Sequence, residues 1–182
     1  MKNTKQIVFI AMGAAMILLA VGLIFMKKSD DTTNGFTGER QSGSYVFSEP
    51  IKTLIFEAGA CSIEILEGEG TEYIVDFENL KYGTLVTEPD GESLKISYEQ
   101  NNNWTAKMFM DDDINDQKIT LTIPKDAEPD SALFEFGAAE ISMEGVSAKE
   151  LYITVGAGEL NADGLTATGV ARFNVGAGAF YA

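Results

Sequence analysis

A glycine-centred segment recurs in the C-terminal half of the chain at a spacing of about twenty positions. The three copies are Phe136–Ile141 (FGAAEI), Val155–Leu160 (VGAGEL) and Val175–Phe180 (VGAGAF), and their first glycines are Gly137, Gly156 and Gly176. A fourth, separate copy occupies Ala58–Ile63 (AGACSI). Units this short cannot bury an apolar face alone, so neighbouring units must stack on one another. The repeat therefore predicts a β-solenoid-like stack of β-strands.

The repeat also predicts which side chains meet. One core row should contain Ile141, Leu160 and Phe180, and the equivalent residues before each glycine should form a second row. Glycine at each bend permits close approach of neighbouring backbones and accepts a positive φ. We therefore expect Gly156→Val to destabilise the fold.

The remainder of the body, residues 45–182, reads as β-strand too. Apolar residues alternate with polar ones at Tyr73–Phe77, Leu94–Tyr98 and Ile119–Ile123, and no segment after residue 28 keeps a helical period. Pro89-Asp90-Gly91 is interpreted as a turn between two strands. The predicted fold class is all-β.

Residues 1–28 are predicted to be a membrane anchor. Residues 7–26 contain no charged side chain and are flanked by Lys2 and Lys5 before and by Lys27 and Lys28 after. A helix of this length covers about 30 Å, the thickness of the hydrocarbon core of a bilayer. A buried core helix is disfavoured because the segment is apolar all round. A cleaved signal peptide is the alternative, but the two lysines that end the run and the lack of a cleavage site favour retention.

Residues 29–44 are polar and glycine-rich, which is typical of a flexible linker. Such a linker would hold the body roughly 20 to 25 Å from the membrane. The lysines slightly favour a cytoplasmic N-terminus. The expected location is therefore the cell membrane, with a single pass and an extracytoplasmic body.

Composition excludes several function classes. The chain has 28 acidic and 13 basic side chains, a net charge of -15, no histidine and one cysteine. Such an acidic surface repels nucleic acid, so no nucleic-acid partner is expected. Without histidine the chain lacks the commonest general base and transition-metal ligand, and one cysteine forms neither an internal disulfide nor a cysteine-rich zinc site. We expect a non-enzymatic protein and assign no catalytic, cofactor-binding or metal-binding residue.

One acidic loop begins like a calcium-binding loop. Asp111–Asp116 (DDDIND) has acidic or amide side chains at its first, third and fifth positions. The sixth position is Asp116 instead of glycine, and the twelfth is Thr122 instead of glutamate. A solvated acidic loop is the favoured interpretation, and weak calcium binding is the alternative.

The stretch before this loop leaves two interpretations open. Asn103–Thr105 fits the pattern of a glycosylation acceptor, and Trp104 lies close to Met108–Met110 in a segment without strand periodicity. This aromatic segment would be either an exposed binding loop or a cover folded over the sheet.

Other short motifs are interpreted as structural. The Gly-x-Gly segments lack the later small residue of a dinucleotide-binding loop, and no helix is predicted after them; they lie at residues 68–70, 156–158 and 176–178. Cys61 occupies the repeat position of Ala139 and Gly158, so we expect a packed small side chain, with a reactive thiol as the alternative.

The sequence stops at Ala182, before a second strand of the last unit would be complete. Stacks of this kind normally end in a polar cap, because an open unit presents unpaired backbone groups. We interpret the end as truncation of a longer protein or as an open end that associates with another molecule.

These features together resemble the bacterial "putative adhesin" family of β-strand-repeat envelope proteins. The resemblance rests on the membrane segment, on a strand ending Leu121-Thr122-Ile123-Pro124 and on units such as Val155–Leu160, and it covers residues 50–182. It implies a cell-surface β-solenoid with no catalytic residues to transfer. Some members of this family are linked to envelope-stress responses.

The favoured function is a non-enzymatic, membrane-anchored surface module, either adhesin-like or a scaffold, with an envelope glycan or protein as partner. A regulatory envelope-stress sensor that acts through a membrane partner is the first alternative. A polysaccharide-processing enzyme is the second, and it rests on fold analogy alone.

Overall fold

The computed structural model describes residues 40–81, 83–100 and 116–182. These residues form strands and no α-helix, which confirms the all-β prediction. The strands are β1 (Gln41–Phe47), β2 (Thr53–Ala58), β3 (Ser62–Glu67), β4 (Tyr73–Leu80), β5 (Gly83–Asp90), β6 (Ser93–Gln100), β7 (Lys118–Ile123), β8 (Ser131–Glu144), β9 (Ser147–Asp163) and β10 (Thr166–Tyr181). No helix long and apolar enough to cross a membrane occurs in this part of the chain. The predicted anchor, residues 7–26, lies outside the described residues.

The three consecutive repeat copies are β8, β9 and β10, which stack in parallel. Each strand turns at its glycine segment, so it has a first arm before this corner and a second arm after it. Phe136 lies opposite Val155, which lies opposite Val175, and Ile141, Leu160 and Phe180 align in the same way. Both predicted core rows are therefore confirmed.

The last interval of the repeat is longer than the one before it, and this difference has a local cause. Ala167 pairs with Ala148, whereas Val170 pairs with Glu150, so β10 advances further than β9 between these two pairs. The register shifts between Ala167 and Val170, and a β-bulge there holds the additional residue. Because the bulge lies near the start of the first arm of β10, the core rows beyond it stay aligned.

The separate copy near residue 60 is the next unit of the same stack. β2 pairs in parallel with the first arm of β8, and β3 pairs with the second arm, which places Ala58 opposite Phe136 and Ile63 opposite Ile141. The chain leaves the stack after β3 and returns to it at β8.

The segment from β4 to β7, between β3 and β8 in the chain, supplies the strands that pair with the other edges of β2 and β3. β6 pairs in parallel with β2, and β7 pairs in parallel with β3. The corner from β2 to β3 consists of residues 59–61, whereas β6 and β7 are separated along the chain by residues 101–117. Of these, residues 101–115 lie outside the described part of the chain.

Antiparallel strands complete this side of the sheet. β5 pairs with β6, β4 pairs with β7, and β1 pairs with β4. The alternating apolar residues predicted to form strands are buried in β4, β6 and β7, from Tyr73 to Ile123.

The core lies between the two arms of the stack and is almost entirely aliphatic and aromatic. Phe56 and Phe134 are fully buried, and the rings of Phe56 and Phe136 meet edge to face at 5.3 Å between centroids. Full burial of one such side chain contributes about 1.5 to 3 kcal/mol. Rows of these residues across successive units therefore hold the stack together.

β1 begins at Gln41, inside the segment that the sequence analysis assigned to the linker. Residues 41–44 pair with β4, and Gly43 lies opposite Phe77. A β-carbon on Gly43 would be 2.8 Å from Cζ of Phe77, whose ring stacks on Tyr45 at 5.6 Å. The absence of a side chain at Gly43 thus leaves space for the stacked rings of Phe77 and Tyr45. The polar, glycine-rich composition of residues 29–44 does not reveal this contact.

The predicted turn at residues 89–91 is displaced by one position. Pro89 is still in β5, opposite Leu94, and the pair Asp90–Ser93 closes a tight turn formed by Gly91 and Glu92. Gly91 has φ +58°, as the first central residue of a hairpin turn requires. Proline is tolerated in β5 because this strand is at the edge of the sheet.

Candidate functional site

The stacked corners bring backbones unusually close together. Gly158 and Gly178 have φ of +137° and +148°, and a β-carbon on either would overlap a carbonyl oxygen of the preceding unit, that of Ala139 or of Gly158. Gly156 has no positive φ, but its β-carbon would be 3.0 Å from the carbonyl oxygen of Gly137. The second glycine of each Gly-x-Gly segment in β9 and β10 is therefore the more constrained one. These glycines have a structural role, as predicted.

An open trough runs along the outer side of the corners. Its volume is about 730 Å³, and small residues with two carboxylates line it: Ala138, Ala139, Glu140, Ala157, Gly158, Glu159, Gly178 and Ala179. Glu140 and Glu159 are directly opposite each other on adjacent strands. Like charges in this arrangement repel each other, and no group of three or more metal-ligating side chains occurs among the described residues. We therefore assign no acid–base or metal chemistry to the residues that line the trough.

The outer face of the first arms has a regular row of large side chains. In register across β6, β2, β8, β9 and β10, the row consists of Lys95, Ile55, Leu133, Tyr152 and Arg172. The guanidinium carbon of Arg172 lies 5.9 Å from the centre of the Tyr152 ring. The ammonium of Lys95 lies 2.9 Å from the carboxylate of Glu57 on β2. Stacking thus repeats one outward position over five strands.

β10 forms an open end of the stack. One edge of β10 pairs with β9, and the other pairs with no strand in the described part of the chain. Among the described residues, four of the five large apolar side chains that are exposed belong to β10: Val170 (41%), Phe173 (40%), Phe180 (40%) and Tyr181 (56%). The rings of Phe173 and Phe180 stack at 5.3 Å between centroids. The core rows therefore reach the surface here, and we call these four residues with the free edge of β10 the open end.

Cys61 is buried at the corner between β2 and β3. Loss of solvation through burial raises the pKa of its thiol to about 12. The thiol is therefore neutral at physiological pH, and a neutral thiol is a poor nucleophile. Cys61 is a packed small side chain, as the sequence predicted.

A buried polar residue that the sequence analysis did not single out connects three parts of the fold. Oε1 of Gln117 accepts hydrogen bonds from Lys81 N–H and from the Tyr98 hydroxyl, both at 3.0 Å. The carbonyl oxygen of Gln117 accepts a hydrogen bond from Ser62 N–H at 2.9 Å. These bonds fix the start of β7 against β6 and β3. The only sequence signal for Gln117 is its position just before an apolar strand.

Most of the acidic loop that begins like a calcium site lies outside the described residues. Of Asp111–Asp116 the structure describes Asp116, whose carboxylate is 3.9 Å from the Arg40 guanidinium. Its carbonyl oxygen accepts a hydrogen bond of 3.4 Å from Asn79 Nδ2. The segment Asn103–Thr105, which includes Trp104, also lies outside the described part.

The architecture defines a class of protein, an all-β stack of parallel bent units with a β-solenoid-like arrangement. The chain belongs to the Toastrack DUF4097 family, which matches residues 51–178. This family assignment confirms the resemblance to an adhesin-like bacterial family that the repeat units indicated.

A solved structure shares the fold. It is the crystal structure of a putative cell adhesion protein from Clostridium sporogenes ATCC 15579, which is 11% identical in sequence. The similarity has a TM-score of 0.50 and covers 74% of this chain and 67% of that chain. No curated protein matches the sequence of this chain.

Proposed function

We propose that the chain is a non-enzymatic, membrane-anchored surface protein whose β-stack acts as an adhesin-like or scaffold module. The observation that carries this proposal is the row from Lys95 to Arg172, which repeats one outward position over five parallel strands. Such a row suits contacts spread over an extended surface, because the strands present it without a shaped cavity.

The comparisons with known proteins support this proposed role. The match to the Toastrack DUF4097 family covers most of the stack, and the structurally similar protein from Clostridium sporogenes is described as a putative cell adhesion protein. The partner of this module would be a glycan or protein of the cell envelope.

The anchor is the uncharged segment 7–26, with the acidic body outside the cytoplasm. Because the body, residues 45–182, carries 25 acidic side chains and only eight basic ones, it would be repelled by anionic lipid headgroups. The body would therefore be tethered beside the membrane instead of adsorbed on it.

Protease accessibility in intact cells tests this location. A recognition sequence for a site-specific protease is inserted after Gly91, in the exposed turn between β5 and β6, where no atom lies within 4 Å of an added β-carbon. We expect externally added protease to cut the full chain in intact cells. A cytoplasmic protein that contains the same recognition sequence serves as the control and must stay uncut. Cleavage only after lysis would contradict the proposed location and, with it, a surface function.

Adhesion is tested by attachment of cells to immobilised envelope glycans and to other cells. Cells that display the full chain should attach more than cells that lack it. The double variant Tyr152→Ala/Arg172→Ala, which removes the outward cation–π pair, should reduce attachment at an unchanged amount of displayed protein. Equal attachment with and without the chain would contradict the adhesin-like role. The scaffold role would remain, and it is tested by binding of a protein partner.

A further inference from the structure

The outer face of the second arms and of the strands beside them carries a row of apolar groups. Across β1, β4, β7 and β3, four outward positions lie side by side in register: Val46, Ile74, Thr122 and Leu66. Neighbouring strands are about 4.8 Å apart, so these positions extend about 14 Å across the sheet. We call these four residues the apolar row.

The apolar row is not part of the core. Val46 is 42% exposed, and among the described residues it is the one exposed large apolar side chain outside β10. Ile74 and Leu66 are half-buried, and neither belongs to the core cluster or to the apolar side chains packed against it. The row therefore presents apolar surface to whatever contacts this face of the sheet.

Carboxylates surround the apolar row on the same face. Residues two positions apart on a strand point to the same side of the sheet, so the neighbours of the row along each strand share its face. The row also continues in register onto β8 and β9, where both side chains are acidic. The surrounding carboxylates are those of Glu72 and Asp76 beside Ile74, of Glu64 beside Leu66, and of Glu144 and Asp163 in register with the row.

The charge of this whole face has one sign. Within its paired outward positions, Lys118 is the one basic side chain among the described residues, and its ammonium lies 2.8 Å from the carboxylate of Glu64. Acidic side chains occupy many of the other positions: Asp76, Glu78, Glu140, Glu144, Glu159 and Asp163. A second copy of the chain would bring the same carboxylates to this face and would be repelled. Charge complementarity instead favours a basic occupant.

We propose that the apolar row and its surrounding carboxylates form a docking surface for a basic amphipathic segment of a partner protein. Apolar side chains of the segment pack on Val46, Ile74 and Leu66, and lysine or arginine side chains beside them pair with the carboxylates. The core separates this surface from the row Lys95 to Arg172, which is on the outer face of the first arms. The inference therefore goes beyond the proposed function and does not depend on it.

Binding of model peptides to the full chain tests the chemistry of the surface. The chain in nonionic detergent micelles is titrated with a fluorescent amphipathic peptide of about 18 leucine and lysine residues, with empty micelles as the blank. One matched peptide has serine in place of leucine, and another has glutamate in place of lysine. The leucine–lysine peptide should bind about tenfold or more tightly than either, and its binding should weaken at about 0.5 M sodium chloride.

Each matched peptide can overturn the proposal. If the serine–lysine peptide binds as tightly as the leucine–lysine peptide, charge alone attracts the peptide and the apolar row takes no part. If the leucine–glutamate peptide binds as tightly, charge complementarity takes no part.

Paired variants locate the binding surface. Val46→Ser should weaken binding of the leucine–lysine peptide about fivefold or more, because it removes the most exposed side chain of the row. Val86→Ser is the matched control, since Val86 is also a valine on an edge strand but lies on the outer side of β5. Glu144→Gln should weaken binding about twofold or more at low salt, whereas Glu135→Gln, on the first arm of the same strand, should change it less.

A control variant that weakens binding as much as its counterpart, or an unchanged affinity of Val46→Ser, would contradict the assignment to this face. Self-association of the wild type that is lost in Val46→Ser would assign the apolar row to a second copy and would also overturn the proposal. Circular dichroism verifies that each variant keeps the β-fold, and the peptide comparison on the wild type stands without the variants.

Discussion

At the scale of single residues, the corners of the stack depend on the absence of side chains. A positive φ is readily adopted only by glycine, and Gly158 and Gly178 combine a positive φ with a neighbouring carbonyl oxygen where a β-carbon would lie. Ala139 and Cys61 occupy the same repeat position in the earlier units without a positive φ, and both are buried. The backbone conformation at this corner position therefore changes along the stack. Cys61 and Ala139 have a negative φ and a small buried side chain, whereas Gly158 and Gly178 have a positive φ.

The first prediction compares glycines that differ in conformation and space. Gly158→Ala should lower the free energy of unfolding by about 2 kcal/mol or more, because the substitution adds both backbone strain and a steric overlap. Gly156→Ala should lower it by less than about 1 kcal/mol, since a small shift relieves its 3.0 Å contact. Gly70→Ala, with no atom within 4 Å, is the control and should change stability by less than about 0.5 kcal/mol. Urea unfolding followed by circular dichroism measures all three, and equal losses at the three positions would contradict this account of the corner.

The second prediction concerns the Cys61 thiol and pH. Burial raises the pKa of Cys61 from an ordinary value of 9.0 to about 12 in the folded chain. Between these values the unfolded chain loses the thiol proton while the folded chain keeps it, so stability falls as pH rises. The stability of the wild type relative to Cys61→Ala should therefore decline by up to about 1.4 kcal/mol per pH unit above pH 9.

Urea unfolding of both proteins at about pH 8, 9.5 and 10.5 checks this prediction, because other titrating groups cancel in the difference. A difference that stays constant over this range would show that the thiol is not desolvated in the folded state.

At the scale of elements, in-register stacking makes one sequence position experience different environments along the stack. Ile141 and Leu160 are completely buried between neighbouring units, whereas Phe180 in β10 is 40% exposed. The β-bulge after Ala167 keeps this row intact despite the longer period of the last unit. Position in the stack, more than residue type, therefore decides how much each core side chain contributes.

The third prediction follows this row. Ile141→Ala and Leu160→Ala should each lower the free energy of unfolding by about 2 to 4 kcal/mol, because each leaves a cavity between packed units. Phe180→Ala should lower it by less than about 1.5 kcal/mol when measured at low protein concentration, although it removes the largest side chain of the three. Chemical denaturation of the three variants is the measurement. A larger loss for Phe180→Ala than for Ile141→Ala would show that the last unit is buried.

At the scale of the whole molecule, the acidic charge is arranged in rows by the same stacking that builds the core. Glu140 lies opposite Glu159, and Glu144 lies opposite Asp163, on the second arms of β8 and β9. Nearer to β6 and β7, lysines compensate for acids across strands, as in the pair of Lys118 and Glu64 at 2.8 Å. The second arms of β8 and β9 thus place like charges opposite each other, and like charges on adjacent strands oppose folding.

The fourth prediction tests this repulsion. Glu159→Gln should raise the melting temperature at low ionic strength, because it removes one of two like charges that lie opposite each other on adjacent strands and keeps the shape of the side chain. The gain should shrink at about 0.5 M sodium chloride, where screening weakens interactions between exposed charges. Glu64→Gln is the control with the opposite sign, since Glu64 is paired with Lys118. Differential scanning calorimetry at two salt concentrations measures both variants. A lower melting temperature for Glu159→Gln at low salt would contradict the repulsion.

The amino-acid sequence by itself determined the stacking of the repeat units. A period near twenty with an apolar residue on each side of a glycine favours the alignment that superposes the glycines, because a shift by one residue turns every side chain to the opposite face. The pairing of Phe136 with Val155 and of Ile141 with Leu160 followed from this rule, as did the burial of Cys61 at a corner. The family match to residues 51–178 includes the copies Ala58–Ile63, Phe136–Ile141 and Val155–Leu160.

Only the tertiary structure decided how the remaining strands cover the stack. β6 and β7 pair with β2 and β3, which lie far from them along the chain, and no shared motif marks these partners, because such pairing depends on complementary burial and not on local sequence. For the same reason the sequence did not show that β1 begins at Gln41, that Gln117 connects three parts of the fold, or that Gly158 is more constrained than Gly156. Those assignments depend on which atoms lie within a few ångströms once the chain has folded, and that information is not contained in the local pattern.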